Sequence, residues 1–239
     1  MAEGARAGAE HGDIALLAAL QLGDAFLPTG AYTLSQGLES LVQLRWVTTA
    51  SELEAALTAY LAEQLAPADG VAVANAHRAA ARGDLAEVLA IDRHLLALKL
   101  PREVREGAQR TGRNLLQAVG PTVEDAVLAA YARAVAEGAA PGTYAVALGV
   151  VARALGLTAR AALLVYFYAS TVGLLGAALR LMRLDHLAAQ GILARLRPQL
   201  AALAAAFEAR PWEAMRAFGP QWEVASMTHE RARVRLFTS

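Results

Sequence analysis

The sequence predicts an all-α protein, a single-domain helical bundle of about ten helices. Apolar residues, mostly Ala and Leu, recur every three or four positions, which places them on one face of a helix. Short breaks rich in Pro and Gly separate these runs, and no run before the last few residues alternates cleanly as a strand would. We expect the helical domain to occupy residues 13–228, after a lead-in of residues 1–12 and before a tail of residues 229–239.

The N-terminal residues 1–12 contain acids and glycines but no apolar stretch, so they do not read as a signal peptide. A disordered lead-in is expected there. The first helix is expected over residues 13–22, with Asp13 placed to cap it.

Residues 24–39 have a composition unlike the rest of the chain. Pro28 and Gly30 predict a turn, and the polar residues Tyr32, Ser35 and Glu39 follow it. Leucines at positions 34, 38 and 41 recur at helical spacing, so a second helix is expected to carry these polar groups. Such a concentration of polar groups favours either an active-site loop or a rigid corner in an interface.

Capping signals mark several later helices. Thr49 and Glu52 fit a capping box, and Asp84 and Glu87 repeat it. The segment 67–70, with Pro67 and Gly70 at its ends, is expected to break the helical run that precedes it. Pro101 can begin a helix that reaches residue 119. Its arginines alternate with Glu103 and Glu106, a pattern typical of a solvated face.

Residues 161–179 carry no charge and approach the length needed to span a membrane. Polar and small residues interrupt the stretch, arginines flank both ends, and no second span exists. We therefore interpret it as the central buried helix of a soluble bundle. Ala169, Gly173 and Ala177 would form a smooth stripe for close approach of another helix. A membrane-attached helical subunit is the alternative.

Composition argues against several classes of function. The chain has no cysteine, and its 22 Lys and Arg balance 22 Asp and Glu, so neither thiolate chemistry nor nucleic-acid binding is expected. The five histidines are never spaced three or four residues apart, which disfavours a helical metal site. Phosphate-binding and nucleophile-elbow motifs are also missing. We expect no metal, no cofactor and no catalysis. The alternative is a helical enzyme with a site around Tyr32, Ser35 and Glu39.

The C-terminal tail offers a positive signal for binding. Residues His229 and Glu230 are followed by Arg231, Arg233 and Arg235. In an extended chain these three arginines share one side, with apolar side chains on the other. Such a tail suits docking on a partner with an acidic surface, although a frayed basic terminus is common. The apolar share of 56% also suggests burial against partner chains.

Motifs from about residue 14 to the last residue resemble the UreF family of urease accessory proteins. Those in the first half are residues 20–24 (Leu-Gln-Leu-Gly-Asp), Phe26, 28–30 (Pro-Thr-Gly), Tyr32, Ser35, 37–39 (Gly-Leu-Glu) and 46–48 (Trp-Val-Thr). Those in the second half are residues 148–156, 166–170, 190–193, 226–230 (Ser-Met-Thr-His-Glu) and 235–239 (Arg-Leu-Phe-Thr-Ser). Tyr144 departs from the family pattern, which commonly has His there.

The resemblance implies a non-catalytic, cytoplasmic all-α protein, usually a homodimer. It would join UreD (also called UreH) and the GTPase UreG to insert nickel into the urease apoprotein and to modulate GTP hydrolysis. By motif position, Tyr32 and Arg235 carry over as complex-forming residues. The expected partner-binding residues are Pro28, Gly30, Tyr32, Ser35, Glu39, His229, Glu230, Arg231, Arg233 and Arg235.

Overall fold

Helices account for most of the molecule. The computed structural model describes the backbone of residues 2–238 and the side chains of residues 12–238. No residue in 2–238 lies in a strand, so the predicted all-α class is confirmed. Met1 and Ser239, the outer ends of the predicted lead-in and tail, lie outside the described residues.

Eleven α-helices occur in the described range. They are α1 (Ala2–Gly23), α2 (Leu38–Gln43), α3 (Ala50–Ala59), α4 (Val71–Ala81), α5 (Leu85–Leu98), α6 (Arg102–Val119), α7 (Ala126–Ala136), α8 (Tyr144–Ala154), α9 (Ala159–Leu181), α10 (His186–Phe207) and α11 (Pro220–His229). Short 3₁₀ turns cover Ala31–Thr33, Gly120–Thr122 and Trp212–Ala214.

A π-helical segment, Tyr60–Gly70, joins α3 to α4 without a break. The predicted break at residues 67–70 is therefore wrong, and the eleven α-helices form ten continuous rods. Pro67 lies inside the segment, where it cannot donate an amide hydrogen. Backbone amides from the loop before α11 bind the segment from outside: Phe218 N donates to Glu63 O (3.1 Å) and Arg216 N donates to Pro67 O (3.1 Å). These bonds compensate for the altered helical ladder.

The N-terminal helix and the segment after it differ from expectation. Helix α1 begins at Ala2, so it extends through the predicted lead-in, and Asp13 lies in its interior instead of capping it. The alanines of this stretch favour a helix because Ala has the highest helix propensity. Further on, α2 begins only at Leu38. Gln36 (φ 54°) and Gly37 (φ 95°) are left-handed and interrupt the helix that was expected to carry Tyr32 and Ser35.

The buried core is one continuous cluster to which every α-helix contributes. The charged face of α6 is not part of it. Helices α4 and α8 pack closely at Gly149, where a Cβ atom would lie 2.5 Å from Val73 O. Buried Asp92 of α5 ties α7 to the start of α8. Its carboxylate accepts hydrogen bonds from Tyr131 Oη (2.8 Å), from Gly142 N (2.7 Å) and from Thr143 N (3.0 Å) and Oγ1 (2.6 Å).

Helix α9 is the one described helix that is long and apolar enough to cross a membrane. In its most apolar window 56% of the residues are buried inside the protein, as in the core helix of a soluble protein. The predicted small-residue stripe is only partly covered: Ala177 is buried, but a Cβ at Gly173 would meet nothing within 4 Å. Gly173 instead lines a cavity beside the π-helical segment.

Candidate functional site

Two segments that are far apart in sequence meet at one end of the bundle. We call residues 24–39 the corner segment and residues 229–238 the tail. Thr238 N donates to Thr33 O (2.9 Å), and Arg110 of α6 donates to Thr238 Oγ1 (2.9 Å). The sequence placed candidate residues in both segments, and the structure brings them together.

Local hydrogen bonds hold the turn of the corner segment. Phe26 N donates to Asp24 Oδ1 (2.8 Å), and Thr29 O accepts from Asn114 Nδ2 of α6 (2.9 Å). Gly30 adopts φ 76°, a left-handed conformation that Gly takes without steric cost. The backbone of this turn is thus fixed to α6, and the side chains it carries project from a supported position.

The corner segment exposes two aromatic rings. Phe26 is 93% exposed and Tyr32 is 72% exposed. Aromatic side chains that remain in water on a fixed backbone are typical anchors of protein interfaces. Neither ring contributes to the core of this chain.

The other end of the corner segment is buried beneath helix α11. Gly37 is packed so closely that a Cβ atom would lie 2.5 Å from Ser226 Oγ and 3.0 Å from Trp222 O. Ser226 Oγ also donates to Gln36 O (3.2 Å). Gly is therefore required at position 37 both by its positive φ and by this contact.

Buried Glu39 receives the backbone of the tail. Its Oε1 accepts from Leu236 N (2.8 Å), and its Oε2 accepts from Phe237 N (3.0 Å). Oε2 also lies 3.0 Å from His229 Nε2. Since hydrogen bonds to a buried carboxylate are stronger than those between neutral groups, Glu39 fixes the tail by charge as well as by geometry.

His229 lies between two buried carboxylates. Its Nε2 faces Glu39, and its Nδ1 lies 2.6 Å from Glu103 Oε2 of α6. Glu103 Oε1 in turn accepts from Arg235 Nη1 (2.6 Å). A neutral imidazole has only one N–H, so the ring donates to both carboxylates only when both of its nitrogens are protonated. Two carboxylates, one imidazolium and one guanidinium then form a charge-balanced group, which we call the ion cluster.

The last described residues of the tail are fixed by packing. Phe237 is buried, and the Arg180 guanidinium of α9 lies over its ring, 4.5 Å from the ring centre. A cation above an aromatic face is attracted by the ring's negative charge distribution. The tail therefore closes over the end of α9 as well as over α6 and the corner segment.

The predicted site residues fall into three groups. Pro28, Tyr32, Arg231 and Arg233 are exposed, and among the described ion pairs neither of these two arginines has a carboxylate partner. Ser35, Glu39 and His229 are buried; Ser35 Oγ accepts from Glu39 N (3.4 Å). Gly30 and Glu230 are half-buried, and Glu230 Oε1 accepts from Arg102 N (2.7 Å) at the start of α6. Arg235 is partly exposed and pairs with Glu103. The three arginines do not share one environment, because Arg235 alone pairs with a buried carboxylate.

Sequence reasoning missed Glu103, which it assigned to a solvated face of α6. The side chain is only 6% exposed. A signal was present: Glu103, Gly107 and Thr111 lie four residues apart on one helical face, and the two latter residue types are small enough to pack against a neighbour. All three positions are buried.

The ion cluster does not have the geometry of a metal site. The two carboxylates approach opposite ring nitrogens of His229 and do not converge on a common point. Within the described side chains, no group of three His, Asp or Glu residues could hold a metal ion. The cluster holds the tail against the corner segment, which also carries Tyr32.

Comparisons with known proteins agree on one family. The family model UreF matches residues 47–197. A urease accessory protein UreF of Paenarthrobacter aurescens is 35% identical over 223 residues, which are 93% of this chain and 97% of that protein. Urease accessory protein UreF 2 of Brucella canis is 34% identical over the same share of this chain and 91% of its own length. UreF of Trichodesmium erythraeum is 32% identical, with 96% of its length covered.

Proposed function

The chain belongs to the UreF family of urease accessory proteins, and from that premise we propose that it organises nickel insertion into the urease apoprotein. In this proposal it bridges UreD (UreH) and the GTPase UreG and modulates GTP hydrolysis by UreG. Nickel is the cargo of the assembly, and the chain itself performs no catalysis.

The observation that carries the proposal is the docking of the tail on the corner segment through the ion cluster. Two far-separated segments are held in one place by buried charges. Buried ion pairs are costly to desolvate, so they contribute little net stability, and in some proteins they serve to fix one conformation. The conformation fixed here presents Tyr32 and Phe26 to solvent.

The charge of the exposed tail supports a partner with an acidic surface. Arg231 and Arg233 extend into water, and Val234 is 81% exposed beside them. Complementary charge speeds association and selects among partners. The aromatic rings of the corner segment would supply the apolar contact of the same interface.

Arg235 can be assigned one of two roles. An arginine supplied to a GTPase from outside can stabilise the charge of the transition state. Its pairing with Glu103 favours the other role, which is to order the interface. We infer that Arg235 acts through the tail and not on the nucleotide.

Arg235→Ala distinguishes these roles. We expect the variant to lose the complex with UreD and UreG on a sizing column. Arg197→Ala, which removes an exposed arginine of α10 outside both segments, should retain that complex. An intact Arg235→Ala complex with slowed GTP hydrolysis would instead identify a catalytic arginine.

The proposed function is tested directly by pull-down with UreD and UreG, with and without GTP and nickel. Joint retention of both partners is expected. In cells, deletion of this gene from an otherwise complete urease operon should abolish activation, and undiminished urease activity would refute the proposal.

Homodimerisation is part of the proposal. Exposed apolar side chains on α1, among them Leu17 and Leu20, lie beside helix α9, which exposes Tyr168 and leaves Gly176 open. Such a surface suits a second copy of the chain. We assign this assembly to the cytoplasm, where GTP is available. The chain has no cysteine, so it forms no disulfide that would require an oxidising compartment.

The alternative of a helical enzyme around Tyr32, Ser35 and Glu39 is less well supported. The Tyr32 side chain extends into water, whereas Glu39 is buried and its oxygens are occupied by the tail and His229. These groups do not face a common space in which a substrate could react.

A further inference from the structure

The turn that follows helix α2 exposes three consecutive side chains. We call Leu44, Arg45 and Trp46 the α2 turn. Leu44 is 43% exposed and Trp46 is 48% exposed, with the exposed Arg45 between them. Leu41 before the turn and Val47 after it are buried. The chain is thus anchored on both sides of a short segment whose side chains remain largely in contact with water.

Two backbone hydrogen bonds fix the α2 turn. Trp46 N donates to Leu41 O (2.9 Å), and Arg45 N donates to Val42 O (3.0 Å). This pair of bonds is the Schellman motif, in which a residue just after the helix adopts the left-handed conformation and is usually glycine. Here that residue is Arg45, with φ 60°. The turn is therefore rigid, and its arginine occupies a position that suits glycine.

Three other helices of the described chain end with the same motif and use glycine. Gly83 follows α4, Gly138 follows α7 and Gly156 follows α8, with φ of 74°, 73° and 78°. In the left-handed conformation the Cβ atom of any other residue lies too close to the following carbonyl oxygen. Glycine at position 45 would relieve this contact, so the backbone gives no reason for an arginine there.

The Arg45 side chain has no partner within the described part of the chain. It forms no hydrogen bond, ion pair or ring contact with another described residue, so it adds no contact to the fold that would offset its left-handed φ. Residues held in a sparsely populated conformation are found mostly where they serve a function.

The acids nearest in sequence to Arg45 are already occupied. Glu39 accepts from the backbone of the tail, and Glu52 accepts from Thr48 N (2.8 Å) and Thr49 N (3.0 Å) at the start of α3. A carboxylate for Arg45 would therefore come from another molecule.

We propose that the α2 turn is a docking point for a partner protein that presents a carboxylate beside apolar side chains. The Arg45 guanidinium binds the carboxylate through two parallel hydrogen bonds, while Leu44 and Trp46 contact the apolar side chains and exclude water from the ion pair. Arginine and tryptophan are the residue types that most often dominate the binding energy of protein interfaces.

This inference rests on the proposed function, because the partners are those of the maturation assembly. It assigns one of them a contact outside the corner segment and the tail. Helix α2 connects the two surfaces: Glu39 near its start holds the tail, and Gln43 Nε2 at its end donates to Glu39 Oε1 (3.2 Å).

The test compares the native chain with Arg45→Gly in binding to UreD, to UreG and to the urease apoprotein, each measured separately by surface plasmon resonance. Because glycine relieves the left-handed φ, the thermal unfolding midpoint of the variant should rise by about 2–4 °C. The same variant should bind at least one partner about tenfold more weakly, as expected for loss of a central interface arginine. Stability and binding then change in opposite directions, which a purely structural role of Arg45 would not produce.

Matched variants separate the charge from the backbone. Arg45→Gln keeps the left-handed residue and an apolar stem but removes the charge, so it should weaken the same partner without raising the unfolding midpoint. Leu44→Ala should also weaken that partner. Arg197→Ala removes an exposed arginine of α10 and should change neither binding nor the midpoint.

Unchanged binding of all three partners by Arg45→Gly would overturn the inference, and so would a lowered unfolding midpoint, since the arginine would then stabilise the turn. In both cases the native chain still binds its partners, and the proposed function stands. Failure of the native chain to bind any of the three would instead refute the proposed function, and this inference with it.

Discussion

His229 is the residue through which the corner segment, α6 and the tail are joined electrostatically. Both ring nitrogens face carboxylates, and when each carries a proton the positive charge of the ring balances one of the two glutamates. A neutral replacement leaves a buried carboxylate without a counter-charge.

His229→Gln should therefore lower the free energy of unfolding by about 3–5 kcal/mol, the range found when one partner of a buried ion pair is removed. Urea titration measures the change. His186→Gln, at the exposed start of α10, should shift it by less than about 0.5 kcal/mol. A loss of only about 1 kcal/mol for His229→Gln would indicate ordinary neutral hydrogen bonds and no imidazolium.

His77 of α4 makes one pH-dependent contribution to the free energy of unfolding. Its Nε2 donates to Leu157 O (2.7 Å), which fixes the neutral tautomer and leaves Nδ1 buried without a partner among the described residues. Burial lowers the pKa of His77, opposed by this hydrogen bond, and Arg153 and Arg78 lower it further while Glu208 raises it.

The folded pKa of His77 thus lies below the ordinary value of 6.5. Above pH 6.5, the ordinary pKa, the neutral ring contributes its full stability to the folded state. This stability is lost as pH falls through the lower pKa of the folded state. We expect His77→Gln, which keeps a donor for Leu157 O, to flatten this part of the stability–pH curve. Urea titrations at several pH values test it; an unchanged slope would show that other groups cause the loss.

At the scale of elements, Asp92 is the connection between α5, α7 and α8. Asp92→Ala would remove the acceptor of four hydrogen bonds and leave buried donors unsatisfied, at a cost of at least about 3 kcal/mol. Asp92→Asn keeps one acceptor oxygen and should cost less. Thermal and urea unfolding measure both variants, and an Asp92→Ala effect below that of Asp92→Asn would contradict this role.

The helix starts show which elements could be predicted from sequence. The Thr49 and Glu52 capping box forms as expected, and Asp84 accepts from Glu87 N (2.9 Å), because these motifs act within four residues. The π-helical segment could not be predicted, since Pro67 is tolerated there only because a distant loop binds the neighbouring carbonyls. Position 36 was missed for a similar reason: its left-handed φ depends on contacts with α11.

The candidate site, too, could be predicted only where local motifs determine it. Tyr32 and Arg235 could be singled out from local composition and family motifs. Glu103 was interpreted as solvated because it lies on a mixed-charge helix, and only its four-residue spacing with Gly107 and Thr111 indicated a packed face. Local rules therefore identified the two segments, while their pairing required tertiary structure.

At the scale of the whole molecule, the net charge is zero and 56% of the residues are apolar. Part of this apolar content remains exposed at the surface. The surface formed by α1 and α9 is where that surplus is concentrated, and Leu187 at the start of α10 is 85% exposed. Apolar patches of this kind mark sites of association.

A charge placed on the α1–α9 surface should dissociate the proposed homodimer. In a two-fold interface one substitution acts twice, since both copies carry it, so Leu17→Asp sets two desolvated carboxylates against apolar surface. We expect light scattering to give a dimer for the native chain and a monomer for Leu17→Asp, with an unchanged circular dichroism spectrum. Leu100→Asp, at an exposed position just before α6, should remain dimeric. A Leu17→Asp dimer as tight as the native one would place the interface elsewhere.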